Sequence, residues 1–432
     1  MNGTEMLLRF SVANLLSIAG QQELSLVASK LKGPEAGLLD VPSEAGLKGL
    51  PAAVIYGANA SGKTNFLKAF RFMETCILYS HSSLDPQGGV PRIPFALDER
   101  IKASPTRLEV DFILDNVRYA YGFECDNDRF VSEWLYSFPE GKRRKLFERK
   151  DNDVDFGSFM RGAKKALVEF MRPNSLFLST ATQNDHEELS KITSFFRGMK
   201  YIGSMSFSAD AINESFKGNK IDSRTMKLLA EIGTGIVDQR VRNREKNIDI
   251  KNFTEKVTQL FKEQYKLLPS EIRFETREAS DAVIELAHRG GDADPHYFGL
   301  ERESAGTRRL LKIMSSVFAA LDEGTMVFID ELDASLHTLA AEKIIELFLC
   351  REINKKGAQL ITTTHDTNIL NCKSLRRDQI WFCEKDGVGA SHIFSLSEIK
   401  SRPSDNFEQG YLEGRYGAIP FAGNLRALFA GE

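Results

Sequence analysis

Residues 52–64 read AAVIYGANASGKT: a nearly continuous apolar run, Ala52 to Tyr56, leads straight into Gly57-Ala58-Asn59-Ala60-Ser61-Gly62-Lys63-Thr64. A short apolar run of this kind is the pattern of a strand buried on both faces. The eight residues after it fit GxxxxGK[ST], and Phe66, Phe70 and Met73 behind them recur at helical spacing. Strand, glycine loop and helix start, in that order, make a cradle for a polyphosphate. Gly57 and Gly62 let the backbone wrap closely around the anion. The loop amides and the helix N-terminus face it, where unpaired N–H groups and the dipole favour negative charge. Lys63 can reach the β- and γ-phosphates, and the Thr64 hydroxyl can ligate Mg²⁺.

Further along, MVFIDEL at 326–332 ends an apolar run in two carboxylates, Asp330 and Glu331. In a parallel sheet the carboxyl end of such a strand lies beside the phosphate loop. Asp330 is therefore the candidate for the Mg²⁺ shell, and Glu331 for the base that orients and deprotonates an attacking water. ESAGTRRLL at 303–311 places Ser304, Gly306 and Thr307 just ahead of a helix with apolar Leu310, Met314, Val317, Phe318 and Leu321. That is a second helix N-terminus able to receive an anion. LDASLH at 332–337 follows the acidic pair directly. QLITTTHD at 359–366 ends a strand in His365, a donor for a γ-phosphate.

Outward from these motifs, residues 325–329, 338–350, 360–363 and 379–383 alternate strand with helix, which implies an α/β fold with a mainly parallel sheet. Residues 6–28 hold two alternating strand patterns, 33–51 read as an exposed loop, and 107–148 as an antiparallel meander. Residues 158–171 and 186–268 read as helical, with a strand pair at 271–276 and 282–288. The expected domains are an N-terminal part of the head (1–183), a compact inserted helical lobe (184–270), a C-terminal part of the head (271–400) and a tail (401–432).

The 432 residues are 42% hydrophobic and 27% charged, with 57 basic and 60 acidic side chains and a net charge of −3. That balance argues against a protein that coats nucleic acid through bulk charge. The clusters Lys142-Arg143-Arg144-Lys145 and Arg240/Arg242/Arg244/Lys246 leave a local nucleic-acid contact open. No signal or membrane-spanning pattern occurs, so a cytoplasmic protein without a membrane partner is expected. The five scattered cysteines fit reduced thiols.

The order of phosphate loop, SAG helix, IDE, LDxSLH and TTH resembles an ABC-type ATPase head, within the group that includes SMC, RecF and the OLD-like defence ATPases. The resemblance covers most of residues 6–385. SAGT departs from the transporter signature LSGGQ and looks like the form found in small phage-defence ATPases. The tail segments DQIWFCEKD (378–386) and YLEGRYGAIP (411–420) look like those of the RloA or AbiL type, encoded beside restriction or abortive-infection genes.

The resemblance implies an α/β ABC-ATPase head with an antiparallel β-subdomain, and ATP and Mg²⁺ as cofactors. Gly57 through Thr64 would bind nucleotide. Asp330 and Glu331 would serve metal and base, and His365 would be the switch histidine. Ser304 and Gly306 would contact the nucleotide held by an opposite subunit, with Asp333 and Ser335 near the seam. Gln183 is the candidate for the metal-coordinating glutamine. A homodimer or higher oligomer clamped around ATP follows, paired with a separate effector, a Toprim-like nuclease or toxin, in an anti-phage system. The competing reading is a RecF-like DNA-repair clamp on the same head.

Overall fold

The computed structural model describes residues 5–203 (apart from 36, 42, 43, 45 and 163), 220–243, 282–290, 294–401 and 405–419. Contacts divide the chain into two units, Met1–Phe207 with Ser316–Glu432, and Ser208–Ser315.

In the first unit, β1 (Met6–Ala13), β2 (Gln22–Ser25), β3 (Leu39–Asp40), β4 (Lys48–Gly49) and β5 (Ala52–Tyr56) precede α1 (Lys63–Ser83). Next come β6 (Thr106–Leu114), β7 (Val117–Cys125), β8 (Phe130–Phe138), β9 (Arg144–Lys150) and β10 (Asp153–Phe156). They are followed by α2 (Phe177–Gln183), α3 (Glu187–Arg197) and β11 (Lys200–Ile202). One sheet runs β10-β9-β8-β7-β6-β1-β2, antiparallel throughout. Its β6–β7 hairpin turns on Asp115 and Asn116, at φ 50° and 62°. Two left-handed residues in a two-residue loop match the twist of the flanking strands, and Asp and Asn tolerate that conformation best after glycine.

The second unit contains α4 (Ser223–Glu231), β12 (Ile236–Asn243), β13 (Ala282–His288) and β14 (His296–Gly299). Its strands form an antiparallel sheet in the order β12-β13-β14. The chain continues through α5 (Ala305–Glu323), β15 (Met326–Ile329), α6 (Thr338–Leu349), β16 (Gln359–Thr363), β17 (Ile380–Lys385), β18 (Ser391–Ser395) and α7 (Phe407–Leu412).

The other large sheet of the first unit runs β11-β15-β16-β5-β17-β18. Every pairing is parallel except that of β17 with β18. All five residues of β5 are buried, since β16 and β17 flank it and both faces are covered. Helix α1 bridges the two sheets. Phe70 stacks on Phe10 of β1 at 3.6 Å between ring centroids and meets Phe328 of β15 at 4.9 Å. A side chain with rings on both sides contributes burial to both layers, about 1.5–3 kcal/mol for a residue of this size.

Three stretches differ from the sequence reading. Residues 33–51, expected as an exposed loop, carry the β3–β4 pair and bury Leu39, Val41 and Leu50. Leu39 and Val41 cover Met6, Leu8 and Ile113, so β1 is buried on both faces. Within 158–171 the α-helix is confined to Lys165–Phe170. The helical reading of 186–268 fails at β11, which joins the parallel sheet, and at β12, which pairs with β13. In β12 the charged residues that read as a helix surface lie on an exposed strand face, with Arg240 paired to Glu285 at 2.6 Å. The expected strand at 271–276 lies outside the described residues. None of the described helices is long and apolar enough to cross a membrane.

Candidate active site

The registers of the parallel sheet decide where its strands stop. Ile329 pairs with Thr362, Thr362 with Val54, and Val54 with Ile380. The carboxyl ends of β15, β16, β5 and β17 therefore emerge along one edge, the edge at which ligands collect in such sheets. Gly57, Asp330 and Thr364 are the first residues beyond three of these ends.

At Gly57 a Cβ would lie 2.2 Å from the Cys383 carbonyl oxygen. Gly62 sits at φ 113°, and a Cβ there would meet Ser391 Oγ at 2.1 Å. Both glycines are thus required by close approach of the β17–β18 hairpin. That hairpin grips the loop: Ser391 Oγ donates to the Ser61 carbonyl at 2.6 Å and accepts from Ser17 Oγ at 2.8 Å. Asn65 Nδ2 donates to the same Ser17 hydroxyl at 2.8 Å. The Ser61 hydroxyl, itself buried, has no hydrogen-bond partner among the described residues. An orphaned hydroxyl in a glycine loop is the donor an oxyanion would satisfy.

Lys63 is buried, and its Nζ donates to the carbonyls of Gly57 at 2.8 Å and Ala58 at 3.0 Å. Burial pushes its pKa down, against the opposing pull of Cys383, Asp330, Glu331 and Asp333. Thr64 Oγ1 lies 3.0 and 3.1 Å from the two carboxylate oxygens of Asp330, across 266 positions of chain. Asp330 is 2% exposed and also accepts from Thr363 Oγ1 at 2.8 Å. The Thr363 oxygen in turn accepts the Glu331 N–H at 2.7 Å. One hydroxyl therefore orients both acidic residues. Glu331 is held at φ 53°, a left-handed conformation that costs a non-glycine residue about 1–3 kcal/mol and persists only where its surroundings impose it.

His365 follows β16, and its backbone N–H donates to the Asp333 carboxylate at 3.2 and 3.3 Å. Burial first, and then the Lys63 charge, hold its imidazole pKa below the ordinary value. Residues 59–65, with Glu331, His365 and Lys385, line a cavity of about 480 Å³.

Residues 52–371 match the family model described as "AAA domain, putative AbiEii toxin, Type IV TA system". The chain belongs to this AAA family. The matched span holds every residue lining the cavity except Lys385. No curated protein matches the chain. Among solved structures it is similar to the Smc head domain with an extended coiled coil bound to the C-terminal domain of ScpA, from Pyrococcus furiosus. There the identity is 15% and the TM-score 0.37, over 92% of this chain and 100% of that one.

Of the residues singled out in the AAA sequence, Asn59 through Thr64, Glu331 and His365 share the cavity. Gly57 and Ala58 shape it from behind through the Lys63 bonds, and Asp330 joins it through Thr64. Asp333 supports the His365 backbone. Gln183, the last residue of α2, is exposed and is not among the residues lining the cavity. Ser304 and Gly306 belong to the second unit, where Ser304 Oγ accepts the Thr307 N–H at 3.0 Å and caps α5. Ser391 and Ser17 belong to none of the motifs, and Thr363 and Lys385, though they lie within TTH and DQIWFCEKD, carry no assigned role there; their hydrogen bonds and position show their part in the site.

The two basic clusters are largely occupied by neighbours. Arg143 stacks on Tyr136, Arg144 on Phe159, Lys145 pairs with Asp155, and Arg240 and Arg242 both face Glu285. Arg244 and Lys246 lie outside the described residues.

Proposed function

We propose that the chain binds MgATP at residues 57–64 and hydrolyses it. The observation that carries this reading is the meeting of the Thr64 hydroxyl with the Asp330 carboxylate at 3.0 Å, beside a buried lysine and an orphaned Ser61 hydroxyl. Loop amides receive the triphosphate, and Lys63 leaves the Gly57 and Ala58 carbonyls to follow the β- and γ-phosphates. Thr64 and Asp330 would hold Mg²⁺, which would supply charge neutralisation to the phosphates. Glu331 accepts the proton of the attacking water, while the His365 side chain donates a hydrogen bond to the γ-phosphate. Lys63→Ala should weaken MgATP binding by about 100-fold, the scale of one or two charged hydrogen bonds. Glu331→Gln should keep binding and slow turnover ~10²–10⁴-fold. A Glu331→Gln protein with normal turnover removes Glu331 from the role of base.

At the level of the whole protein, the reading is an ATPase subunit that pairs with a second copy across ATP and controls a separate toxin or nuclease in an anti-phage system. Support comes from the family description, whose words include "AbiEii toxin" and "Type IV TA system", together with the order of motifs. Ser304 and Gly306 are assigned to the nucleotide of the opposite copy. The domain boundaries at 183, 270 and 400 belong to the same proposal. Co-expression with the product of the neighbouring gene tests it: growth arrest released or imposed by Lys63→Ala supports control of an effector, and indifference to the variant rejects it.

A further inference from the structure

The tail motif YLEGRYGAIP has a place in this fold that the motif roles leave unused. Residues 405–419 bond to two segments next to those that line the cavity, Ala58 of the phosphate loop and the turn after His365. On one side the Ala58 N–H donates to the Ala418 carbonyl at 2.9 Å. Ala58 is the residue whose own carbonyl takes the Lys63 ammonium at 3.0 Å. The tail and the lysine are therefore joined through one residue. On the other side Glu408 of α7 accepts from Thr367 Oγ1 at 2.9 Å and Asn371 Nδ2 at 2.8 Å, on the turn that begins two residues after His365.

The attachment at Ala418 is over-determined. Its N–H donates to Glu384 Oε2 at 3.0 Å, and its carbonyl also receives the Tyr411 hydroxyl at 2.9 Å. Tyr411 lies flat on Phe382 of β17, 5.5 Å between centroids at an interplanar angle of 10°, and Tyr416 stacks on the same ring at 5.7 Å. Ala418 itself is at φ 57°. A non-glycine residue in that region is strained, and such strain survives where surrounding bonds impose it and where function uses it.

We propose that residues 405–419 are a positioning strap for the nucleotide site: Ala418, fixed by Glu384 and Tyr411, orients Ala58 and through it the resting position of Lys63. Glu408 anchors the same strap to the turn after His365. The proposal deepens the ATP-binding reading and rests on it for its second readout alone. With the strap unhooked, Ala58 loses the acceptor for its N–H and the loop samples arrangements in which Lys63 is misplaced. Phosphate binding then pays the ordering that the strap supplied beforehand.

The test compares three full-length proteins: wild type, Glu384→Ala and Glu384→Gln. Glutamine keeps an acceptor oxygen for the Ala418 N–H, and alanine removes it. The first readout is amide hydrogen exchange of the peptide covering residues 57–64, measured without nucleotide. Faster exchange in Glu384→Ala, restored by Glu384→Gln, with melting temperature unchanged, supports the strap. Equal exchange in all three overturns it, as does an alanine variant that exchanges faster everywhere. The second readout is ATP turnover. KM for ATP should rise about fivefold in Glu384→Ala, the ratio one net hydrogen bond commands, with kcat held and the glutamine variant rescued. A wild type that binds no ATP defeats the nucleotide reading, and the exchange comparison still judges the strap. Tyr411→Phe, which keeps the stacking and removes the hydroxyl, should move exchange in the same direction by less.

Discussion

Thr363 concentrates the chemistry of the site in one hydroxyl, donating to Asp330 and accepting from the Glu331 backbone. Thr363→Val keeps the shape of the side chain and removes both bonds. We expect a stability loss of about 1–3 kcal/mol from the unpaired groups and a rise in the Mg²⁺ concentration needed for half-maximal turnover, read from a Mg²⁺ titration of the ATPase. An unchanged Mg²⁺ dependence contradicts a role for Thr363 in aiming Asp330. Glu74 of α1 offers a pH test. Burial raises its pKa from 4.5 to about 7, against the pull of Arg71 at 2.5 Å. The folded protein then holds a proton that the unfolded chain has released, so this group's contribution falls as pH rises from 4.5 through 7. Melting curves should show that Glu74→Gln lacks this part of the decline seen in wild type. His365 and His81 act with the opposite sign: their pKa values are held below 6.5, so the protein loses stability as pH falls through 6.5.

At the scale of elements, the strand–loop–helix unit was fully legible, because β5 needs apolar residues on both faces and the loop needs glycine where backbone approaches. Gly62→Ala tests that need. With φ at 113° and Ser391 Oγ 2.1 Å from the new carbon, the loop must shift; the expected result is lost ATP binding in a protein that still folds, checked by titration beside circular dichroism. Native affinity in a folded Gly62→Ala protein would mean that the loop is not clamped by β18. The antiparallel meander at 107–148 was equally readable, and β6 and β7 pair within it. Elements whose burial depends on distant partners were not. Leu39 and Val41 read as loop residues because nothing local announces that they cover β1. Strand β12 read as helix because its charges stand on an open face, where Glu285 and Tyr297 rather than a helical neighbour meet Arg240. Within the site the same rule holds: Lys63, Thr64, Asp330 and Glu331 sit in local motifs that announce their roles, whereas the roles of Thr363 and Ser391 show only once the strand registers bring them to their partners.

For the whole molecule, ATP held between two copies predicts self-association that follows the nucleotide. Sedimentation of Glu331→Gln should move from monomer toward dimer on adding MgATP and stay monomeric with ADP, since in the proposed clamp only the triphosphate would offer a γ-phosphate to Ser304 and Gly306 of a second copy. A species of one size under all three conditions would reject the clamp and leave each copy to act alone. The clamp and the coupling of Thr363 to Asp330 both require a prior event, capture of a triphosphate by residues 57–64. Calorimetric titration of MgATP into wild-type protein and into Lys63→Ala addresses it most directly. We expect saturable binding near one nucleotide per chain in the wild type and a loss of about 100-fold in affinity in the variant; equal affinity in the two proteins, or no binding to either, would contradict capture of the triphosphate by this loop.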